Sequence, residues 1–254
     1  MRGLEGRSAI VTGAAHGIGL AIANRLAEEG CVLGLFDVDE PGVREVEKAI
    51  RAAGGSASAF GVDITDYAAV KDAVAEFEAA TGPLAFLVNN AGWDRVKNFL
   101  DTDRAFWDRV IGINLYGPLN MHHIVLTGMA ERGFGRVVNI ASDAARVGSS
   151  GEAVYSACKG GIVALTKTLA RELVARGVNL NCVCPGPTDT AILRSFVEGP
   201  DGAKILEGLR RAVPMKRLGE PDDYPGLVAF LLSDDAAYMT GQVISVSGGL
   251  TMHG

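Results

Sequence analysis

The chain has no surplus of positive charge. Its 254 residues carry 24 Lys and Arg against 30 Asp and Glu, a formal net charge of −6. A surface that follows the phosphates of a nucleic acid needs the opposite balance, so no nucleic-acid partner is expected. Long apolar runs are missing too. None approaches the ~20 residues needed to cross a bilayer, so no membrane association is expected. The start, Met1–Arg7, lacks the features of a secretory leader and runs straight into a strand-like segment. Only four cysteines occur, Cys31, Cys158, Cys182 and Cys184. Cys182 and Cys184 are spaced too closely for a usual zinc clip, and no histidine lies near them in sequence. They are expected to be reduced small hydrophobes in a cytoplasmic protein, and no metal site is expected. Linkers, repeats and low-complexity segments are also missing, so the whole of 1–254 is expected to be a single domain.

What is present is an alternation. Val- and Ile-rich runs at Ser8–Thr12, Val32–Asp37, Ala57–Val62, Ala85–Asn89, Gly135–Ile140, Asn179–Cys184 and Gln242–Val246 read as strands. Amphipathic stretches lie between them, among them Gly17–Glu29, Val43–Ala53, Tyr67–Ala80 and Arg104–Arg132. Apolar strands separated by helices imply an α/β fold, a doubly wound Rossmann-type domain with about seven parallel strands and helices on both faces. Thr188–Arg217 breaks the rhythm after the sixth strand. Such sheets bind ligands at the carboxyl ends of their strands, so this segment is expected to form a substrate lid.

Ile10–Gly19 joins the first strand to the first helix and carries Gly13, Gly17 and Gly19. Glycines there allow a tight turn, close ligand approach and close helix packing, with helix amides facing a pyrophosphate. His16 and Ile18 lie within this turn. Asp37 closes the second strand, where a carboxylate can accept from ribose hydroxyls and would repel a 2′-phosphate. His16 is not a fixed cation. Both features favour NAD over NADP. Asp63 and Ile64 close the third strand, where Asp63 could meet the adenine edge. Asn89 and Asn90 can tie strand ends together, and the small Ala91 and Gly92 let a cofactor lie close.

Tyr155 and Lys159 stand at i and i+4, the spacing that puts two side chains on one helical face. A neighbouring ammonium is expected to lower the phenol pKa and make Tyr155 an acid/base group. Ser142 precedes the tyrosine by thirteen residues.

Thr12–Gly19, Asn89–Gly92, Asn114, Ser142, Tyr155 with Lys159, and Cys184-Pro-Gly186 occur in the order found in the short-chain dehydrogenase/reductase family, which the whole chain resembles. The resemblance implies a catalytic tetrad of Asn114, Ser142, Tyr155 and Lys159, with Asn114 anchoring a water behind Lys159. It also implies cofactor contacts from Tyr155, Lys159, Pro185, Gly186, and Thr188 or Thr190, and commonly a homotetramer. Asn90–Asp94, Met121–His123, Ser142–Tyr155 and Ser245–Met252 are most similar to stretches in the family's 2-hydroxycyclohexanecarboxyl-CoA dehydrogenases. A cyclic 2-hydroxyacyl-CoA is the substrate this implies. Trp93 would wall its ring, Ser142 hold its oxygen and Arg146 pair with an anionic group. Lys204, Arg210 and Arg211 could meet CoA phosphates. His122 and His123 read as packing residues. The alternatives are a 3-oxoacyl thioester reductase, a dehydrogenase of a free cyclic or aromatic alcohol, and a non-catalytic NAD-binding regulator.

Overall fold

Strand residues alternate between two cores, and this fixes the layers. The computed structural model describes residues 1–196 and 202–252. Its seven strands are β1 Ser8–Thr12, β2 Val32–Asp37, β3 Ser56–Gly61, β4 Phe86–Asn89, β5 Gly135–Ile140, β6 Val178–Pro185 and β7 Val243–Val246. All pair in parallel, in the order β3-β2-β1-β4-β5-β6-β7. Side chains on a strand point to opposite faces in turn. Ala9, Val11, Leu33, Leu35, Phe86 and Val88 enter one core, while Ile10, Phe36 and Leu87 enter the other.

The helices supply the two covers. In chain order they are α1 Gly17–Glu28, α2 Glu40–Ala52, α3 Tyr67–Thr81, α4 Arg104–Ile111, α5 Gly117–Arg132, α6 Ala144–Val147, α7 Ala153–Leu173, α8 Ala191–Phe196, α9 Gly202–Ala212 and α10 Pro225–Leu232. Ile22 and Leu26 of α1, Val43, Val46 and Ile50 of α2, and Val228 of α10 fill the first core. Val70, Val74 and Phe77 of α3 join Met121, Val125 and Met129 of α5 in the second. A doubly wound sheet thus buries apolar surface on both faces.

The strand order reverses between β1 and β4, and this switch point opens a crevice at the strand ends. Three helices that flank it begin with an aspartate cap. Asp39 accepts from the Gly42 amide, Asp66 from Ala68 and Ala69, and Asp103 from Phe106. The start of α1 has no side-chain cap. Its first-turn amides have no side-chain acceptor at the cap.

Two expectations need correction. Arg104–Arg132 is not one regular helix, because α4 and α5 are separated by a π-helical turn, Gly112–Tyr116, with Asn114 at its centre. The third strand begins earlier and ends at Gly61, so Val62 lies beyond it. The excursion after β6 contains α8 and α9 and is pinned at its base by a bridge between Thr188 and Gly219. Residues 197–201 of the expected lid lie outside the described residues. No described helix is long and apolar enough to cross a membrane.

Candidate active site

The carboxyl ends of β1, β2, β4, β5 and β6 face one cleft of about 1140 Å³. At its β1 end the wall is mostly backbone. Gly13 adopts φ +66°, and a Cβ there would meet the Ala91 Cα at 2.9 Å. A Cβ on Gly19 would stand 2.0 Å from the Gly13 carbonyl, so α1 can pack on the turn only without one. Gly19 itself does not reach the cleft; its contribution is this close packing.

Asparagine and threonine hold the turn. Thr12 Oγ1 accepts from the amides of Asn90 and Ala91, both at 3.0 Å. Asn90 Nδ2 donates to the carbonyls of Thr12 and Gly13 at 3.0 and 3.2 Å. Buried Asn89 donates instead to Asn139 Oδ1, tying β4 to β5.

Asp37 borders the cleft with its carboxylate fixed by the amides of Ala15 (2.9 Å) and Asp39 (3.0 Å). The His16 ring bonds Asp39 Oδ2 at 2.7 Å. Two carboxylates therefore stand at this corner, and the one imidazole there is already engaged. Asp63, Ile64, His16 and Ile18 also line this end. The glycine turn, the uncapped α1 amides and the Asp37 carboxylate fit a dinucleotide.

Farther along, three groups converge from two elements. Ser142 follows β5, and Tyr155 and Lys159 share a face of α7. All three line the cleft. The Ser142 hydroxyl accepts from the Ala144 amide at 3.1 Å and borders the same cleft as the Tyr155 phenol. Lys159 is buried, and its Nζ donates to the Ile140 carbonyl at 3.0 Å.

The electrostatics run against the expectation from spacing. Burial is the largest influence on Tyr155 and pushes its pKa up, and the carboxylates of Glu152 and Asp94 push the same way. Lys159 Nζ sits 5.6 Å from the phenol ring centroid and does not offset this. Burial lowers the Lys159 pKa to about 8. In this state the phenol holds its proton firmly, and it is the lysine that titrates more easily.

Asn114 is fully buried and does not border the cleft. Its Nδ2 donates to the Trp93 carbonyl at 2.6 Å and to Val110 at 2.9 Å, and its Oδ1 accepts from the Trp93 amide at 3.2 Å. The π turn aims this amide at the Trp93 backbone. A Cβ on Gly92 would meet Asn114 Oδ1 at 3.0 Å and Lys159 Nζ at 3.4 Å, so the two flank Gly92.

Trp93 does border the cleft. Phe106 meets it edge-on at 5.8 Å, and the Arg109 guanidinium stacks on it at 3.8 Å. Arg146, expected to pair with an anionic substrate, points elsewhere. It donates to Val243 O and Ser245 Oγ at 3.1 and 3.0 Å and does not line the cleft. Lys204, Arg210 and Arg211 are also outside the lining, and Arg211 pairs with Glu207 at 2.9 Å. Instead Ile205 and Leu209, on one face of α9, turn to the cleft. Pro185, Gly186, Thr188 and Thr190 close its far wall. Thr188 is braced there by the Tyr224 hydroxyl at 2.5 Å.

Sequence reasoning overlooked Arg109, Ile205, Leu209 and Glu152. Glu152 had a signal, since it stands three residues before Tyr155 at the start of the same helix. Among the described residues no cluster of potential metal ligands occurs.

Known proteins match the chain over nearly its whole length. Residues 13–251 match the family model described as enoyl-(acyl carrier protein) reductase. An acetoacetyl-CoA reductase of Rhizobium meliloti is 41% identical over 244 residues, covering 96% of this chain and 98% of the relative. An NAD+-bound xylitol dehydrogenase superposes with a TM-score of 0.93 at 34% identity, covering 98% of this chain and 100% of the other. A 3-ketoacyl-(acyl-carrier-protein) reductase from Brucella melitensis, complexed with NADH, gives 0.90 at 31% identity with the same coverage.

Proposed function

This chain belongs to the short-chain dehydrogenase/reductase family of oxidoreductases, and we propose that it interconverts a secondary alcohol and a ketone with NAD, on a cyclic 2-hydroxyacyl-CoA resembling 2-hydroxycyclohexanecarboxyl-CoA. The convergence of Tyr155, Ser142 and Lys159 beside a glycine turn carries the reading.

Bound NAD would supply the hydride chemistry. The Gly13–Gly19 turn and the α1 amides would hold its pyrophosphate. Asp37 would accept from the adenosine ribose and repel a 2′-phosphate, helped by Asp39 beside it. Asp63, Ile64, Asn90, Ala91, Gly92, Pro185, Gly186, Thr188 and Thr190 would complete the seat. Ser142 would donate to the substrate oxygen as charge builds there. Tyr155 would pass a proton to that oxygen in reduction and take it back in oxidation. A phenol held protonated by burial suits the reducing direction. Lys159 would hold the nicotinamide ribose. Asn114, which clamps Trp93, would position both the substrate wall and the lysine, and would hold any water behind it through its remaining lone pair.

The substrate reading is supported by Trp93 at the cleft wall and by the apolar face of α9, which would close over an alicyclic ring as a lid. The 3-oxoacyl thioester reductase is the second reading, favoured by the likeness to acetoacetyl-CoA reductase. We also propose a cytoplasmic homotetramer. The four cysteines are unpaired and buried, as suits a reducing compartment, and Tyr116 between α4 and α5 stands exposed.

Turnover of cyclic hydroxyacyl-CoA esters, linear 3-hydroxyacyl-CoA esters and the free acids, followed by NADH absorbance, tests the reading. The cyclic thioester should exceed its free acid in kcat/KM by at least ~10²-fold, roughly 2.7 kcal/mol of transition-state stabilisation. Equal values would overturn the CoA reading. A preference for linear thioesters would select the second one.

A further inference from the structure

The far wall of the cleft rests on a buried hydroxyl that the chemistry above does not use. Tyr224 precedes α10, is 1% exposed and does not border the cleft. Its hydroxyl lies 2.5 Å from Thr188 Oγ1. Thr188 Oγ1 also bonds the Gly186 carbonyl at 2.8 Å, and a carbonyl only accepts. The single threonine hydrogen is therefore directed to Gly186, and Tyr224 donates to Thr188. Burial holds the phenol above its ordinary pKa, which keeps that hydrogen in place at neutral pH. The result is a directed chain from Tyr224 to Thr188 to Gly186, whose last two members line the cleft. Tyr224 is the only side chain that bonds the Thr188 hydroxyl among the described residues. The backbone opposite is zipped to the same wall. The Gly219 amide donates to the Pro187 carbonyl, and the Gly219 carbonyl accepts from the Asp189 amide, both at 2.8 Å. A Cβ on Gly219 would stand 2.5 Å from the Tyr224 hydroxyl oxygen and 3.2 Å from Thr188 Oγ1, so only glycine lets the three segments meet.

We propose that Tyr224 is a positioning residue for the nicotinamide end of the cofactor: its hydroxyl fixes Thr188 and Gly186 in the wall without itself touching the cofactor. The proposal rests on the reading above that these two residues belong to the cofactor's seat. The β1 end of the cleft is held separately, by the bonds of Thr12 and Asn90. Removing the Tyr224 hydroxyl therefore loosens one end of the seat and leaves the other intact. In a dry site, a partner lost from a buried hydroxyl leaves an unmet lone pair, and the wall shifts to meet it.

The test is binding, not turnover. Calorimetric titration compares NADH with ADP-ribose, which shares the adenosine and pyrophosphate and lacks the nicotinamide. The unaltered protein should bind NADH at least ~10-fold more tightly than ADP-ribose. Tyr224→Phe keeps the ring and should bring that ratio to ~3-fold or less by weakening NADH alone. Thr188→Val removes the acceptor and should lower the ratio equally, and it supplies the readout should Tyr224→Phe fail to fold. Adding Tyr224→Phe to Thr188→Val should lower the ratio no further, which a general loosening of the fold would not produce. A ratio unmoved by the single variants, equal weakening of both ligands, or additive effects would overturn the role of Tyr224. If the unaltered protein binds NADH no more tightly than ADP-ribose, the nicotinamide seat is misassigned and the role falls with it. A protein that shows the expected ratios but turns over no hydroxyacyl-CoA would overturn the proposed substrate and leave the role standing.

Discussion

At the β1 end of the cleft the wall is made of backbone: glycine at 13 and 17, the free amides opening α1, and strand ends tied by Thr12 and Asn90. At the other end it is made of side chains brought from far apart: Trp93 after β4, Ser142 after β5, Tyr155 on α7, and Ile205 and Leu209 on α9. The two ends answer to different constraints. A backbone wall recognises what all dinucleotides share, and few substitutions keep it, because any Cβ at Gly19 strikes the turn. A side-chain wall can be rebuilt residue by residue without moving the sheet. In such a cleft the cofactor end changes little while the substrate end carries specificity.

That division can be tested by altering one end and reading the other. The largest effect is expected from Tyr155→Phe. Turnover should fall by ~10² or more, in line with loss of a general acid–base group, while NADH affinity measured by fluorescence titration stays within a few-fold. Turnover close to that of the unaltered protein would remove Tyr155 from the chemistry. Loss of NADH binding as well would mean the two ends are not separable.

Asp37→Ala alters the opposite end. NAD affinity should fall by about 10-fold, as one carboxylate and its ribose bonds are lost, and the preference for NAD over NADP should shrink by a similar factor. The ratio of substrate to free-acid turnover should not move. If the unaltered protein already accepts NADP as readily as NAD, the assignment of Asp37 fails.

The smallest effect concerns Lys159, which stands where the ends meet. Its pKa in the folded state is lowered to about 8 by burial from an ordinary value of 10.5. Between those values the unfolded chain binds more protons than the folded one, so this group makes stability rise with pH across that window. Below the window both states hold the proton, and the folded state bears the full burden of the buried charge. Lys159→Met should therefore unfold about 3 °C higher than the unaltered protein at pH 7, with the advantage shrinking as pH rises toward 10. Thermal unfolding at the two pH values checks this. A difference independent of pH would show that burial of the charge is not its cause.

How much of this was legible in the chain depended on distance along it. The glycine turn and Asp37 were readable because each is a local signal: a φ above zero, or an acid at a strand end. Tyr155 and Lys159 were readable because helical spacing puts i and i+4 together. Arg146 misled because a cation four residues past Ser142 looks available. In the fold it is taken up by Val243 and Ser245, about a hundred positions downstream, a pairing no local pattern shows. The cations of α9 misled in the same way, since this amphipathic helix sets Ile205 and Leu209 along the cleft and keeps Lys204, Arg210 and Arg211 out of its lining.

The sequence by itself determined the layers, the glycine turn that opens α1 and the shared helical face of Tyr155 and Lys159. Each rests on periodicity or spacing within one or two elements, which backbone geometry converts directly into position. Only the tertiary structure decided the protonation of that pair. Spacing places Lys159 beside Tyr155, but the pKa follows from burial and from Asp94 and Glu152, which approach from separate segments. It also decided that Asn114 clamps Trp93, because a π turn directs its amide there. Desolvation and charge act through space, and the chain reveals what shares a space only once it is folded.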